Sequence, residues 1–180
     1  IIHGRILLSG PTLRTSTRHV QAKLTRGRFM DLIKKMCGSF DFTTISSELY
    51  ALIPQDKTDV ETAKKAVDYG YPGVAPILPV LIYWLQDLNW PVAQELTPFL
   101  AKIGAPLKQP VLDVLKTQDS IWKYWVVSEL VDTTDLQLAK AIAPELQHLK
   151  LKTAASVDED DISVNSAIDA ILHKLQTQRP

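Results

Sequence analysis

Cysteine is nearly absent from the chain, Cys37 being the one residue of its kind among 180. That excludes an internal disulfide and any CxxC-type zinc site. No apolar run approaches the roughly 18–20 residues that a membrane span needs. No GxGxxG, GxxxxGK[ST] or GxSxG string occurs, so the common phosphate-cradling and nucleophile-elbow frames are missing. The four histidines fall in no HxxH or HExxH frame, and His148 and His173 are far apart in sequence. Metal ligation is therefore not expected. Net charge is absent too, with twenty basic residues balancing twenty acidic ones. A neutral total argues against nucleic acid as the main partner.

Acid is missing altogether from residues 1–29, which hold Arg5, Arg14, Arg18, Lys23, Arg26 and Arg28. The same stretch is rich in Ser and Thr and holds three of the seven glycines. Such a composition reads as a basic leader: an organelle-targeting segment, upstream sequence or an appended non-native stretch. It is expected to pack little against the rest of the chain. Residues 30–180 are correspondingly acidic, with fourteen basic residues against twenty acidic ones. With 46% apolar residues, the chain has enough material for one core.

What is present from Met30 onward has helical period. Asp31–Cys37 and Ser46–Leu52 suit short helices, which read as an N-terminal cap over 30–52. Thr58-x-x-Glu61 has the form of a capping box, opening a helix with Val60, Ala63 and Val67 on one face. Gly70-Tyr71-Pro72-Gly73 should end it. The run Ile77–Leu85 is apolar nearly all round and should be buried. Pro91 opens a helix carrying Ala93, Leu96, Leu100 and Ile103, and Pro98 within it deletes one backbone bond and should kink it. Leu107–Leu115 and Ile121–Val131 form further helices, the second capped by Asp119 or Ser120. Thr134-x-x-Gln137 is another capping box, and Val164, Ala167, Ile168, Ile171, Leu172 and Leu175 stripe a last helix over 160–176. No stretch alternates like a strand. The fold class expected is all-α, with about seven to nine helices.

The helices repeat in pairs. Gly70 and Gly104 stand 34 residues apart, each followed two residues later by proline; Trp90 and Trp122 stand 32 apart, each after an Asp-containing turn. That spacing predicts a short α-solenoid over 53–180, with the 160–176 helix as its C-terminal cap.

The strings Leu52-Ile53-Pro54-Gln55-Asp56-Lys57, Gly70-Tyr71-Pro72 with Pro76-Ile77-Leu78-Pro79, Trp84-Leu85-Gln86-Asp87-Leu88-Asn89-Trp90-Pro91-Val92-Ala93 and Trp122-Lys123-Tyr124-Trp125 run in this order over about residues 49–131. In this they resemble a mainly bacterial, HEAT-like family catalogued as a domain of unknown function. The resemblance implies a small helical domain and implies no activity, cofactor or catalytic residue.

Candidate site residues each carry two readings. Trp84, Trp90, Trp122 and Trp125 can line a recognition groove or pack one hairpin on the next, and helical spacing favours packing. Lys123 and Tyr124, between tryptophans, should face other directions and be exposed. Asp87 and Asn89, like Asp56, Lys57 and Asp59, form either a polar rim or turn and cap bonds, the latter favoured. Cys37 reads as an apolar filler, and Asp158–Asp161 as a solvated loop. Two functions follow. The first is a protein-interaction module or small partner protein, with another protein as partner, binding through Trp84, Asp87, Asn89, Trp90, Lys123 and Tyr124. The second is a small-molecule-binding domain or enzyme using the Trp/Asp/Asn cluster around 84–90 and 122–125. No cofactor or catalytic residue is assigned. The expected location is cytoplasmic, or an organelle where residues 1–29 act as a transit peptide.

Overall fold

The computed structural model describes residues 45–133 and 135–177. The expectations for the basic leader 1–29, the helix over Asp31–Cys37 and the cap at Thr134 lie outside the described residues. Eight α-helices are described: α1 Ser47–Tyr50, α2 Val60–Tyr69, α3 Leu78–Tyr83, α4 Pro91–Ala101, α5 Lys108–Leu115, α6 Ser120–Val126, α7 Gln137–Thr153 and α8 Glu159–Thr177. Single 3-10 turns lead into α3 and α5 and follow α3, and a π-helical turn, Val127–Val131, extends α6. There is no strand among the described residues. The chain is all-α.

Local chemistry explains most boundaries, and corrects two. Ser46 accepts a bond from the Leu49 N–H and caps α1. The cap of α2 is Asp59, not Thr58: Asp59 accepts from the Thr62 N–H. Thr58 is already used, its N–H and hydroxyl both donating to Asp56 Oδ1 at 2.8 and 2.6 Å. Gly70 ends α2 at φ 76°, and Gly104 precedes α5's entry turn at φ 70°. Both conformations are left-handed and favour glycine, so the two glycines at repeat spacing do the same work. α7 starts at Gln137, directly after Leu136, which turns the chain at φ 52° while its side chain is buried. α4 continues three residues beyond Pro98. The apolar run ending at Leu85 leaves the α-helix after Tyr83 and tightens into the 3-10 turn Trp84–Gln86.

Packing runs from each helix to the next but one as well as along the chain. α2 lies against α4, α3 against α5, α5 against α7, and α6 against α8, while α4 meets the π turn. α8 packs across α7, α6 and the π turn together. One buried cluster runs from Leu52 through Leu81, Leu96, Leu107, Val126 and Ile142 to Ile171. The core is therefore continuous across all these layers rather than divided into separate hairpin cores.

Candidate functional site

The turn between α3 and α4 is built by its own side chains. Asp87 Oδ1 accepts from the Asn89 backbone N–H and from Asn89 Nδ2, both at 2.9 Å. The Asp87 carbonyl accepts from the Trp90 N–H at 3.1 Å, and Trp90 is the residue that precedes α4. Beside it, the Lys57 carbonyl accepts from the Val92 N–H at 3.2 Å, which ties the 54–59 loop to the start of α4. Asn89 is exposed and Asp87 half-buried. Both side chains spend polar capacity within the turn, as Asx turns do.

The tryptophans near this turn form an aromatic chain through the molecule. Trp90 meets Trp84 edge-on at 6.0 Å, Trp84 meets Tyr83 at 5.6 Å, and Tyr83 meets Trp122 at 6.1 Å. Trp122 Nε1 donates to the Ile82 carbonyl at 3.2 Å. Trp84 and Trp122 are buried at 4% and 2% exposure, whereas Trp90 is half-buried. The two tryptophans at repeat spacing are thus not equivalent. Trp122 is the third residue of α6 and faces the core, while Trp90 sits just outside α4 and covers Trp84 from the surface side.

Lys123 and Tyr124 separate from this group, and Lys123 differs from expectation. The residue as a whole is 6% exposed, the sole charged residue that is buried among those described. One residue is a rotation of about 100° on a helix, so the face next to Trp122 on α6 meets α8 rather than solvent. Burial lowers the Lys123 pKa below the ordinary lysine range, Lys152 adds to the lowering, and Asp161 and Asp119 oppose it. Tyr124 is half-buried and stands edge-on to Trp125 at 4.9 Å.

Around Lys123 the beginnings of α6 and α8 are clasped by residues the sequence reading left in a solvated loop or named only as caps. Asp119 caps α6 by accepting from the Trp122 N–H at 2.9 Å. Ser120 donates to Asp161 Oδ1 at 2.5 Å, and Ser156 donates to Asp161 Oδ2 at 2.7 Å. Asp158 Oδ1 accepts from the N–H groups of Asp160 and Asp161 at 2.9 and 3.3 Å. The two serine hydroxyls hold the Asp161 pKa below the usual carboxylate range. Burial, then its acidic neighbours beginning with Asp158, push Asp160 the other way. A sequence signal existed: Asp158 precedes the Val164–Leu175 stripe by the distance expected of an N-cap.

The second feature that sequence reasoning missed is apolar surface. Leu151, Val157 and Ile162 are 77%, 93% and 52% exposed at the tip of the α7–α8 hairpin, and Tyr69 and Tyr71 are exposed at the end of α2. Among the described residues no group of three or more His, Cys, Asp or Glu side chains is placed to hold a metal ion. No described helix is long and apolar enough to cross a membrane.

The family described as "Domain of unknown function (DUF5071)" matches residues 52–172, from the residue before Ile53 through most of α8. The chain belongs to this family. Its extent takes in the aromatic chain, the Asp87 turn and the Ser120–Asp161–Ser156 clasp alike. A search of curated proteins finds no match.

Proposed function

We propose that this protein is an interaction module, a short HEAT-like stack of helical hairpins that binds another protein. The next-but-one packing of α2 on α4, α3 on α5, α5 on α7 and α6 on α8 supports the stacked reading, since solenoid repeats lay like helices on like. The observation that carries the binding function is the α7–α8 tip. Three aliphatic side chains, Leu151, Val157 and Ile162, stand in water within about one helical turn of the tip, on a hairpin anchored by buried Leu149, Val164 and Ile168. Asp158 and Glu159 flank them, both exposed. Apolar anchors inside an acidic rim fit a partner with an apolar patch and a basic border. The Asp87, Asn89 and Trp90 surface is the second contact area, with Trp84 as support beneath Trp90. The reading as a small-molecule site or enzyme at this cluster has less support, because Asp87 and Asn89 are engaged with each other.

The test compares the full chain with the variant Leu151→Asp, Val157→Asp, Ile162→Asp in affinity capture from the source cells. A protein recovered in stoichiometric amount by the wild type and lost by the variant, at unchanged melting temperature, supports the reading. Equal recovery by both chains, or no stoichiometric protein with either, overturns it.

A further inference from the structure

We propose that the α7–α8 tip is a self-association surface whose occupant is a second copy of this chain, related to the first by a two-fold axis. The proposal rests on the reading of the tip as a binding surface and names what binds there. That reading asks for a partner with an apolar patch inside a basic border, and the chain carries one itself. In the last turn of α7, Leu151 is 77% exposed between Lys150 and Lys152. On the other arm of the tip, Val157 and Ile162 are 93% and 52% exposed, close to the exposed Asp158 and Glu159. The two arms are alike in apolar surface and opposite in charge, which is the complementarity that fixes the register of an interface.

Within one chain this complementarity is left open. Lys150 pairs with Asp169, farther along α8. Lys152 and Glu159 are exposed and enter no ion pair among the described residues. Helix dipoles account for the signs, since cations suit a helix C-terminus and anions an N-terminus. They do not account for three aliphatic side chains kept in water among those charges. Single exposed apolar residues are ordinary on a protein surface, whereas a cluster of them rimmed by polar groups marks a contact surface.

A two-fold axis makes one interface of the two arms. In such a contact residue i of one copy meets residue j of the other, and j meets i. Laying the α7 end of one copy over the α8 start of the other sets Lys152 opposite Glu159 twice, with Leu151 against Val157 and Ile162 in both halves. The alternative, α7 end on α7 end, sets lysine against lysine and is disfavoured by that repulsion. Three aliphatic side chains and their rim are small beside the roughly 20–30 residues a side of a standard interface. The dimer is therefore reversible, and its extent depends on protein concentration and on salt.

The experiment is sedimentation equilibrium of the purified full chain over about a hundredfold range of concentration at low salt. The average mass is expected to rise from monomer toward dimer, and to rise less at high salt. Lys152→Glu and Glu159→Lys, each alone, set like charges together at two places and should weaken the dimer about tenfold. Both residues are exposed, so either variant keeps its fold. An equimolar mixture of the two variants should associate as the wild type does, because opposite charges then meet at both places. An ion pair within one chain predicts no such rescue. A monomer at every concentration overturns the proposal, as do single variants that dimerise like the wild type, or a mixture that does not recover. A monomeric chain that still captures a different protein through the tip keeps the binding reading and removes the second copy as its occupant.

Discussion

The two tryptophans that share a sequence context differ at the level of the single residue, and the difference can be measured. Trp122 is buried, donates its indole N–H to the Ile82 carbonyl, and stands edge-on to Tyr83. Truncating it removes a large apolar area and one of the hydrogen bonds to the Ile82 carbonyl, which also accepts from the Trp84 N–H. Trp122→Ala should therefore cost about 3–5 kcal/mol, a large fraction of the roughly 5–15 kcal/mol that holds a domain together. Trp90 loses less. It is half-buried and keeps one edge in water, and its main partner is Trp84. Trp90→Ala should cost about 1–2 kcal/mol, since only part of the transfer free energy and one aromatic pair are lost. Urea unfolding of the two variants checks the order. Equal losses would show that Trp90 does the same structural work as Trp122, as their repeat spacing alone implied. Spacing identifies which residues recur; it cannot say how deep each lies, because depth depends on what the neighbouring layer covers.

At the scale of the element, the sequence carried helix existence well and helix ends less well. The stripes at Val60–Val67, Ala93–Ile103 and Val164–Leu175 each became a helix because apolar spacing of three and four has only one way to be buried. The cap of α2 was misread by one residue because Thr58 and Asp59 are both good caps, and only the fold shows that Asp56 claims Thr58 first. The acidic run 158–161 was misread more deeply. Four carboxylates in a row resemble a solvated loop, whereas here one caps a helix and another is bound by two serines from different segments. That clasp gives α6 and α8 a pH-dependent junction. Asp161 has a folded pKa below its ordinary value, so its contribution to stability is present above the ordinary carboxylate value and is lost as the pH falls through the folded one. Asp160, pushed upward, opposes this: its contribution is present at low pH and lost as the pH rises through its raised value. The double variant Ser120→Ala, Ser156→Ala should cost about 1–2 kcal/mol at neutral pH and flatten the fall in stability below pH 4, because the bonds that lower Asp161 are gone. Thermal melts at a series of pH values would sink this account if variant and wild type lost stability in parallel on the acid side.

At the scale of the molecule, the question is whether α8 is an end cap or part of the body. The sequence placed it at the end of a stack, where a cap need only cover the last hairpin. In the fold it packs across α7, α6 and the π turn, and Val164, Ile168 and Ile171 are fully or almost fully buried by those three elements. Burying one such aliphatic side chain is worth about 1.5–3 kcal/mol, so the three together match much of the net stability available to a domain of this size. Removal of α8 also exposes the faces of α6 and α7 that it covers, and takes Asp161 away from Ser120 and Ser156. A long solenoid tolerates the loss of a terminal repeat because each repeat rests mainly on its neighbours. This stack has few layers, and one buried cluster threads them all from Leu52 to Ile171. A chain ending at Ser156 should therefore show no cooperative thermal transition, with loss of most of its helical circular dichroism at 25 °C. A truncated chain that still melts sharply, only at a lower temperature, would make α8 a separable cap and the layers before it a self-sufficient domain.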